Sequence, residues 1–410
     1  MKLFLVFTLA TLAFAKRFDG DQVLTLHPTS SEHVITINEM EEFADFWRPD
    51  SPSLVREGSP VDVRIPREYL FKTKRVLAAI NMDFEVKVND VQDTIDHQFT
   101  GTKTPYAGAY DYDVYHTDVE IESWAFDMQS QYSSLLKVET PTKSEENRNI
   151  VRLTMGSSQN NPIFLIDCGI HAREWISPAF CQCFVNRMLS QYNTDANVRS
   201  MMDALTFVIY PLLNVDGYAY TWSDDRMWRK TRSNYGTVCT GVDPNRNFDA
   251  EWSGPGSSSN PCSDTYYGPE VASEQLSKEL SNFVLSHTGE IQAYLTFHSY
   301  GQVYIYPYSD AVKDVDNKQE HNDIAIASAA ALEAVHRKQY TYGPGYQSMY
   351  LAAGGSDDFS KDFGVPLVYT IELRDTGRYG FILPESQIAP SCEETYAAVD
   401  VIAQHVMTKL

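Results

Sequence analysis

The pattern of hydrophobic and polar residues predicts a small α/β unit at the front of the chain. Residues 61–65 and 84–88 alternate with a period of two, as half-buried strands do, and residues 22–26 are also strand-like. Helical periodicity marks three further segments, which are residues 38–47, 69–80 and 91–99. This β-α-β-α-β order predicts an open sandwich of one sheet and its helices.

From about residue 110 onward, short apolar strands alternate with helices. The predicted strands are residues 151–155, 163–167, 206–213, 291–297, 303–306 and 366–373. The predicted helices are residues 177–192, 274–287, 322–337 and 391–407. Apolar strands between helices indicate a sheet that is covered on both faces. Ser177 before Pro178, and Ser391 three residues before Glu394, are typical of helix starts.

A polar segment joins the two parts. Residues 100–112 are rich in Gly, Thr, Pro, Ala and Tyr and have no apolar periodicity, which is typical of a linker. Lys103 is the only basic side chain of this linker. Because such linkers are preferred sites of proteolysis, we predict a trypsin-like cut after Lys103. The cut would separate a pro-segment, residues 16–103, from a larger domain over residues 104–410.

The first fifteen residues predict export from the cell. Residues 1–15 combine Lys2, an apolar core and a small-x-small end, as a secretory signal peptide does. No other run is long enough to span a bilayer, so we expect a secreted, extracellular protein. In an oxidising compartment its six cysteines should pair, but six cysteines allow fifteen connectivities and spacing cannot choose among them.

Length and charge narrow the function classes further. The 410 residues are enough for two domains with a sizeable core. The chain has 33 basic and 55 acidic side chains, and its net charge is −22. This charge argues against nucleic acid or an anionic membrane as a partner. There is no Asn-x-Ser/Thr sequence, so we expect no N-glycan.

Two histidines and a glutamate follow predicted strands. His171 and Glu174 come directly after the strand over residues 163–167, and His298 follows the strand over residues 291–297. Imidazole nitrogens and a carboxylate oxygen are typical ligands of a catalytic zinc site, although the pair alone also fits a solvated loop and the lone histidine a core position. Because open α/β sheets place ligands at the carboxyl ends of strands, we expect these three side chains at one edge.

Other polar residues suit the same chemistry. Glu372 interrupts an apolar run, where it is either the exposed side of a strand or a general base beside a metal. Arg229, Asn245 and Arg246 would singly be surface residues. Together they offer two guanidiniums and an amide, which suit carboxylate binding and stabilisation of an oxyanion.

In this order, these residues and their neighbours resemble the zinc metallocarboxypeptidases of the pancreatic A/B type, in their secreted proenzyme form. The resemblance covers nearly the whole chain and rests in the front part on DFWR at 45–48 and SPVDVR at 59–64. In the body it rests on HAREWIS at 171–177, WRKTR at 228–232, NRN at 245–247, HSY at 298–300 and ELRDTGRYGF at 372–381. It implies a mixed, mostly parallel eight-stranded sheet between helices, preceded by an open-sandwich activation domain.

The resemblance also implies a role for each matching residue. His171, Glu174 and His298 match the ligands of one zinc ion per chain. Glu372 matches the general base, and Arg229 matches the residue that polarises the scissile carbonyl. The implied substrate contacts are Arg173, Asn245, Arg246, Ser299, Tyr300, Tyr350 and Phe381. Among the cysteines, the family's pairs match Cys168–Cys181 and Cys239–Cys262, whereas Cys183 and Cys392 have no assigned partner.

The expected specificity depends on Asp357. It falls where the family's B branch has an aspartate at the pocket floor and the A branch an apolar residue, and Ser309 and Gly345 also match the B branch. The resemblance therefore implies that a secreted zymogen releases C-terminal Lys and Arg. An N-cap role for Asp357 is the structural alternative.

Two other functions stay open at this point. One is an A-type enzyme that releases aromatic or aliphatic residues, and the other is a catalytically silent protein that binds peptide C-termini. In the preferred interpretation the partners are peptide or protein C-termini and an activating trypsin-like protease. We expect a monomer that binds neither nucleic acid nor membrane.

Overall fold

The computed structural model describes residues 15–99 and 110–410. The predicted signal peptide lies outside the described residues except for Ala15, and the predicted cleavage site at Lys103 lies outside them as well. Both therefore stay predictions.

The first unit is a four-stranded antiparallel sheet with helices packed against it. Its strands are β1 (Gln22–His27), β2 (Asp45–Arg48), β3 (Val61–Ile65) and β4 (Asp83–Val88), in the order β2-β3-β1-β4. The helices are α1 (Ser31–Asn38), α2 (Arg67–Ala79) and α3 (Val91–Asp96). Ile37 of α1 and Leu77 of α2 share a buried core with Leu24 and Val63 of the sheet. The predicted open sandwich is confirmed.

The helix predicted over residues 38–47 is wrong. α1 ends at Asn38, a 3-10 turn covers Glu39–Glu42, and the chain continues as strand β2. β2 pairs with β3, and Arg64 Nε donates to the Asp45 carboxylate at 3.1 Å. A partner strand that is distant in sequence overrides the local helical periodicity, because pairing satisfies backbone groups and buries Phe46.

The body of the chain is built on an eight-stranded sheet. Its strands are β5 (Leu136–Lys143), β6 (Asn149–Met155), β7 (Ile163–Cys168), β8 (Thr206–Tyr210), β9 (Ile291–His298), β10 (Val303–Tyr306), β11 (Thr341–Pro344) and β12 (Leu367–Glu372). They lie in the order β11-β10-β12-β9-β7-β8-β6-β5, and four of the seven neighbouring pairs are parallel. This confirms the mixed, mostly parallel sheet.

The two strands at the edges of this sheet were not predicted. β5 and β11 leave much of their length exposed, so their apolar signal is weak. β8 ends at Tyr210, three residues earlier than predicted. The chain leaves the strand there, because Leu213 N–H donates to the carbonyl of Cys168 at 3.0 Å.

Helices flank the sheet. They are α4 (Asp118–Gln131), α5 (Ile176–Gln191), α6 (Ala196–Ala204), α7 (Val215–Ser223), α8 (Gln275–Ser286), α9 (Lys318–His336), α10 (Gly345–Ser348), α11 (Ser356–Asp362) and α12 (Ile388–Met407). The four predicted helices are confirmed as α5, α8, α9 and α12, but the starts predicted at Ser177 and Ser391 are wrong. Ser177 Oγ instead accepts from Gly169 N–H and donates to the carbonyl of Phe297, so this hydroxyl joins two strand ends.

Three disulfides link the described residues. Cys168–Cys181 and Cys239–Cys262, implied by the resemblance, are present. Cys183 and Cys392, which had no assigned partner, pair with a Cα–Cα distance of 6.4 Å and tie α5 to α12. In the part of the chain that the structure describes, no helix is long and apolar enough to cross a membrane.

The sheet order brings three strand ends to one place. β12, β9 and β7 are neighbours and run parallel, so their carboxyl ends share one edge. Glu372 pairs with His298 in the register of β12 and β9. The segment that carries His171 and Glu174 follows β7 directly. The expectation of one shared edge is therefore met.

Candidate active site

Three buried donors converge at the carboxyl edge of the sheet. His171 Nδ1 lies 2.9 Å from Glu174 Oε1, and His298 Nδ1 lies 3.2 Å from both Glu174 Oε2 and His171 Nδ1. One donor atom from each residue falls within 4.8 Å of the other two. All three side chains are buried. Two imidazole nitrogens and one carboxylate, with a cleft beside them, fit a catalytic zinc site that keeps one position open.

The outer nitrogen of each imidazole is held by a second residue. His171 Nε2 lies 3.1 Å from Asp243 Oδ1, and His298 Nε2 lies 3.1 Å from Thr296 Oγ1. An ionised Asp243 can only accept, so His171 carries its proton on Nε2 and has a lone pair on Nδ1. This is the tautomer that a metal ligand needs.

Asp243 also binds the neighbouring arginine. Its Oδ2 accepts from Arg229 Nε at 3.2 Å and from Arg229 Nη2 at 2.9 Å. Although burial opposes ionisation, Arg229, Arg246 and His171 together hold the pKa of Asp243 well below its usual range. One carboxylate therefore fixes both a metal donor and a guanidinium beside it.

Glu372 has a carboxylate oxygen without a partner. The residue is half-buried, but its Oε2 is shielded from solvent and has no hydrogen-bond partner within residues 15–99 and 110–410. Burial raises the pKa of Glu372 to about 7, against the attraction of His298. Such an oxygen beside a metal can take up a proton near neutral pH.

Two arginines converge on a single carboxylate. Arg229 Nη2 and Arg246 Nη2 donate to Asp50 Oδ2 at 2.9 and 2.7 Å. Asn245 lies next to them and accepts from Ser356 N–H through its side-chain oxygen at 3.0 Å. Asp50 comes from the N-terminal unit, so the cation pair predicted to bind a substrate carboxylate holds a carboxylate of the chain itself.

The cleft continues into a small polar pocket. Asp357 lies in the first turn of α11 and accepts from Thr370 Oγ1 at 2.9 Å, so it is not the N-cap, which is Gly355. Ser309 also lines the cleft. A Cβ on Gly345 would lie 1.9 Å from Ser309 Oγ, so only glycine fits at that position beside the pocket.

Side chains of β2 and β3 contact the remaining residues that were predicted to bind the substrate. Asp45 Oδ1 accepts from Arg173 Nη1 at 3.0 Å. Trp47 packs edge-on against Tyr300 and Phe381, with ring centroids 6.3 and 5.1 Å apart. Tyr300 is also held from the N-terminal unit, since its hydroxyl donates to Asp62 at 2.9 Å.

Most of the residues that the sequence marked line one cleft, but not all. His171, Glu174, Arg229, Asn245, Arg246, His298, Ser299, Tyr300, Tyr350, Asp357, Glu372 and Phe381 line it together. Arg173 does not line it but lies beneath Phe381, with its guanidinium carbon 4.2 Å from the ring centroid. Ser299 contributes its backbone N–H to Glu174 at 3.2 Å, rather than a side-chain contact.

Sequence reasoning missed Asp50, Trp47, Asp243 and Thr296. Asp243 directly precedes the NRN motif, and Thr296 lies two residues before His298 on the same strand face, so spacing could have found both. Trp47 belongs to the DFWR motif at 45–48, but neither it nor Asp50 had a predicted role, because that role depends on the packing of the N-terminal unit on the cleft.

Comparison with known proteins agrees with this geometry. Residues 121–398 match the zinc carboxypeptidase family, and residues 24–98 match the carboxypeptidase activation peptide. The chain belongs to the zinc carboxypeptidase family. It is 41% identical to carboxypeptidase B of Homo sapiens, over 96% of this chain and 95% of that protein. It is 38% identical to carboxypeptidase A6 of Homo sapiens, over 97% and 92%.

A solved structure superposes on nearly the whole chain. The crystal structure of thrombin activatable fibrinolysis inhibitor superposes with a TM-score of 0.91 at 37% identity, covering 96% of this chain and 100% of that one. The zinc carboxypeptidase therefore carries an activation peptide that implies proteolytic activation, and it hydrolyses peptides at their C-termini. The expected family and enzyme class are confirmed.

Proposed function

We propose that this zinc carboxypeptidase is a secreted zymogen whose active form releases Lys and Arg from peptide C-termini. The observation that carries the proposal is the pair of arginines, Arg229 and Arg246, bound to one carboxylate beside three converging metal donors. A cleft built in this way accepts a chain terminus, because an internal peptide segment has no carboxylate for the arginines.

His171, Glu174 and His298 would hold one zinc ion. Zinc at such a site supplies a Lewis acid that activates water for attack on a carbonyl carbon. Glu372 takes the proton of the attacking water through Oε2, which has no partner among the described residues, and returns it to the leaving amine. Arg229 donates to the carbonyl oxygen as negative charge develops on it.

The remaining cleft residues position the substrate. Arg246 and Asn245 bind the terminal carboxylate in the place of Asp50, and Tyr350 closes the cleft beside them. Holding the terminus fixes which carbonyl meets the metal, and such positioning contributes to the rate as well as to binding. Tyr300 and Phe381 form subsite walls, as the resemblance implies. Arg173, which the resemblance implies as a secondary contact on the carboxylate side, supports the wall from behind Phe381.

Asp357 supports a preference for cationic side chains. It is buried in the lining of the cleft, and among the described residues its carboxylate has one hydrogen bond, from Thr370. A Lys or Arg side chain supplies the missing positive partner, whereas an apolar one leaves the carboxylate buried and unpaired. That difference costs roughly 1–3 kcal/mol, or about 10- to 100-fold in kcat/KM.

The contacts of the N-terminal unit support a blocked precursor. Asp50 binds Arg229 and Arg246. Trp47 packs against Tyr300 and Phe381, which form the subsite walls. A trypsin-like cut after Lys103 would release residues 16–103. Three disulfides support folding in an oxidising compartment, which agrees with the predicted signal peptide and secretion.

One assay tests the proposal. The protein cleaved after Lys103 is incubated with matched peptides that end in Arg, Lys, Leu or Phe, with Asp357→Ile as the control variant. Release of Arg and Lys should be at least about tenfold faster than release of Leu, and Asp357→Ile should abolish or reverse that preference while keeping its zinc. Faster release of Leu or Phe by the wild type would indicate an A-type enzyme. Binding of all four peptides without release would indicate a silent binding protein.

A further inference from the structure

A buried carboxylate lies behind the second histidine of the metal site. Asp167 is the fifth residue of β7 and pairs with Thr296 of β9 in the sheet register. Its Oδ1 accepts from Thr296 Oγ1 at 3.0 Å, and the same hydroxyl lies 3.1 Å from His298 Nε2. Asp167, Thr296 and His298 are all inaccessible or nearly so. The proposed metal site, on which this inference rests, is thus linked to a carboxylate through one hydroxyl.

Counting donors fixes the direction of each bond in this chain of contacts. An ionised Asp167 can only accept, so the single proton of the Thr296 hydroxyl goes to Asp167. The hydroxyl oxygen must then accept from His298, so His298 carries its proton on Nε2. In the neutral ring, which is the form that binds a metal, Nδ1 then keeps a lone pair on the side of Glu174 and His171. Two buried residues therefore set the tautomer of the imidazole without touching its metal-facing nitrogen.

The same carboxylate also holds the helix of the specificity pocket. Tyr294 precedes Thr296 by two residues on the same face of β9, and its hydroxyl donates to Asp167 Oδ2. That hydroxyl lies 2.9 Å from Ser356 Oγ, at the first residue of α11. Asp357, the next residue, faces the pocket. Asp167 thus anchors the metal donor and the start of α11 in one buried network.

We propose that Asp167 and Thr296 are positioning residues for zinc, acting on His298 as Asp243 acts on His171. Residues in this position behind a metal-bound histidine typically contribute 10- to 100-fold to metal affinity. The contact runs through the Thr296 hydroxyl. A valine at position 296 keeps the shape of threonine but lacks this hydroxyl, so it should lose the contribution to zinc affinity.

The test compares Thr296→Val with Thr296→Ser in the full-length protein. Zinc affinity is measured by competition with a chromophoric chelator. We expect Thr296→Val to bind zinc about 10- to 100-fold more weakly, and Thr296→Ser to stay within about threefold of wild type, because it keeps the hydroxyl. Thermal unfolding of the metal-free proteins checks that both variants fold.

Asp167→Asn gives a second, independent readout. Its amide can donate to Thr296, which frees the hydroxyl proton for His298 Nε2 and favours the tautomer with the proton on Nδ1. In NMR spectra of histidine-labelled, metal-free protein, recorded above the His298 pKa of about 9 so that the ring is neutral, the His298 ring should then change tautomer relative to wild type. Zinc affinity should fall at least as far as in Thr296→Val.

Equal zinc affinity in wild type, Thr296→Val and Thr296→Ser would overturn the inference and leave the proposed function standing. Equal losses in the two Thr296 variants would also overturn it, since packing rather than the hydroxyl would then be responsible. A wild-type protein that fails to bind zinc at all would instead contradict the proposed function.

Discussion

At the scale of single residues, the surroundings of each buried carboxylate decide what it can do. The two carboxylate oxygens of Asp243 accept hydrogen bonds from His171 and Arg229, so Asp243 stays ionised and holds both side chains in place. Glu372 has an oxygen without a partner among the described residues and a pKa of about 7, which suits proton transfer. Asp357 has one hydrogen bond and faces an open pocket. Two carboxylates that line the cleft and one buried behind it thus differ in their chemistry.

Glu372→Gln should abolish most turnover without removing zinc. The amide keeps the shape of the side chain but cannot accept a proton, and general acid–base catalysis typically contributes ~10²–10⁴-fold. The measurement is kcat on a peptide ending in Arg, with zinc content and Kd for a competitive inhibitor as controls. A loss below about tenfold would remove Glu372 from the role of base.

At the scale of elements, contacts between distant segments hold the sheet and its helices together. His321 lies in α9, fully buried, with Nδ1 3.2 Å from the Asn317 carbonyl and Nε2 accepting from Val368 N–H of β12 at 3.3 Å. Burial lowers the pKa of His321 to about 4. This histidine is neutral in the folded protein and joins helix to strand only in that form.

The wild-type protein should therefore lose stability in acid more steeply than His321→Gln. Between the unfolded pKa of about 6.5 and the folded pKa of about 4, the unfolded chain binds a proton that the folded chain does not, so the free energy of unfolding falls as pH falls. The difference approaches about 3 kcal/mol at pH 4. Urea unfolding of both proteins from pH 7 to pH 4 measures it, and parallel curves would refute this role.

The disulfide between α5 and α12 should matter for stability but not for catalysis. Cys183–Cys392 bridges 209 positions and neither residue lines the cleft. Replacing both with Ala should lower the free energy of unfolding by about 2–4 kcal/mol, because the unfolded chain loses a long closed loop. Urea midpoints give the loss, and kcat/KM of the cleaved enzyme should be unchanged. A matched removal of Cys239–Cys262, which bridges only 23 positions, should cost less.

At the scale of the whole molecule, the N-terminal unit and the catalytic cleft are complementary. Asp45, Trp47 and Asp50 all come from one strand and the turn after it. Each contacts a different residue of the chain that was predicted to contact the substrate or its scissile carbonyl. A short segment thus covers the carboxylate site and the subsite walls at once. We propose that these contacts block the cleft as long as the unit stays attached.

Asp50→Ala should release part of this block in the uncut chain. Without the Asp50 carboxylate, Arg229 and Arg246 are free to bind a substrate terminus, so hydrolysis of a small peptide by the precursor should rise about tenfold. Asp83→Ala, an exposed change in the same unit, serves as the control and should have no effect. After cleavage both variants should equal wild type. An unchanged precursor rate in Asp50→Ala would show that Asp50 does not block the site.

The sequence by itself determined the central strands of the large sheet, its four predicted helices and most of the residues that line the cleft. Apolar strands such as β7 and β9 are almost entirely buried, so their period and length were enough to find them. Their ends predicted that His171, Glu174 and His298 would meet at one edge of the sheet. These features depend on residues that are close in sequence or on the fixed geometry of parallel strands. The roles of the individual side chains in catalysis stay predictions.

Only the tertiary structure decided the contacts between segments far apart in the chain. Residues 45–48 have helical spacing but form a strand, because β3 offers a partner. Asp50 meets Arg229 from 179 positions away, Cys183 finds Cys392, and Asp167 reaches His298 through Thr296 on a neighbouring strand. No local pattern marks such pairs, since their energy comes from burial and hydrogen bonding that exist only after the units have packed together.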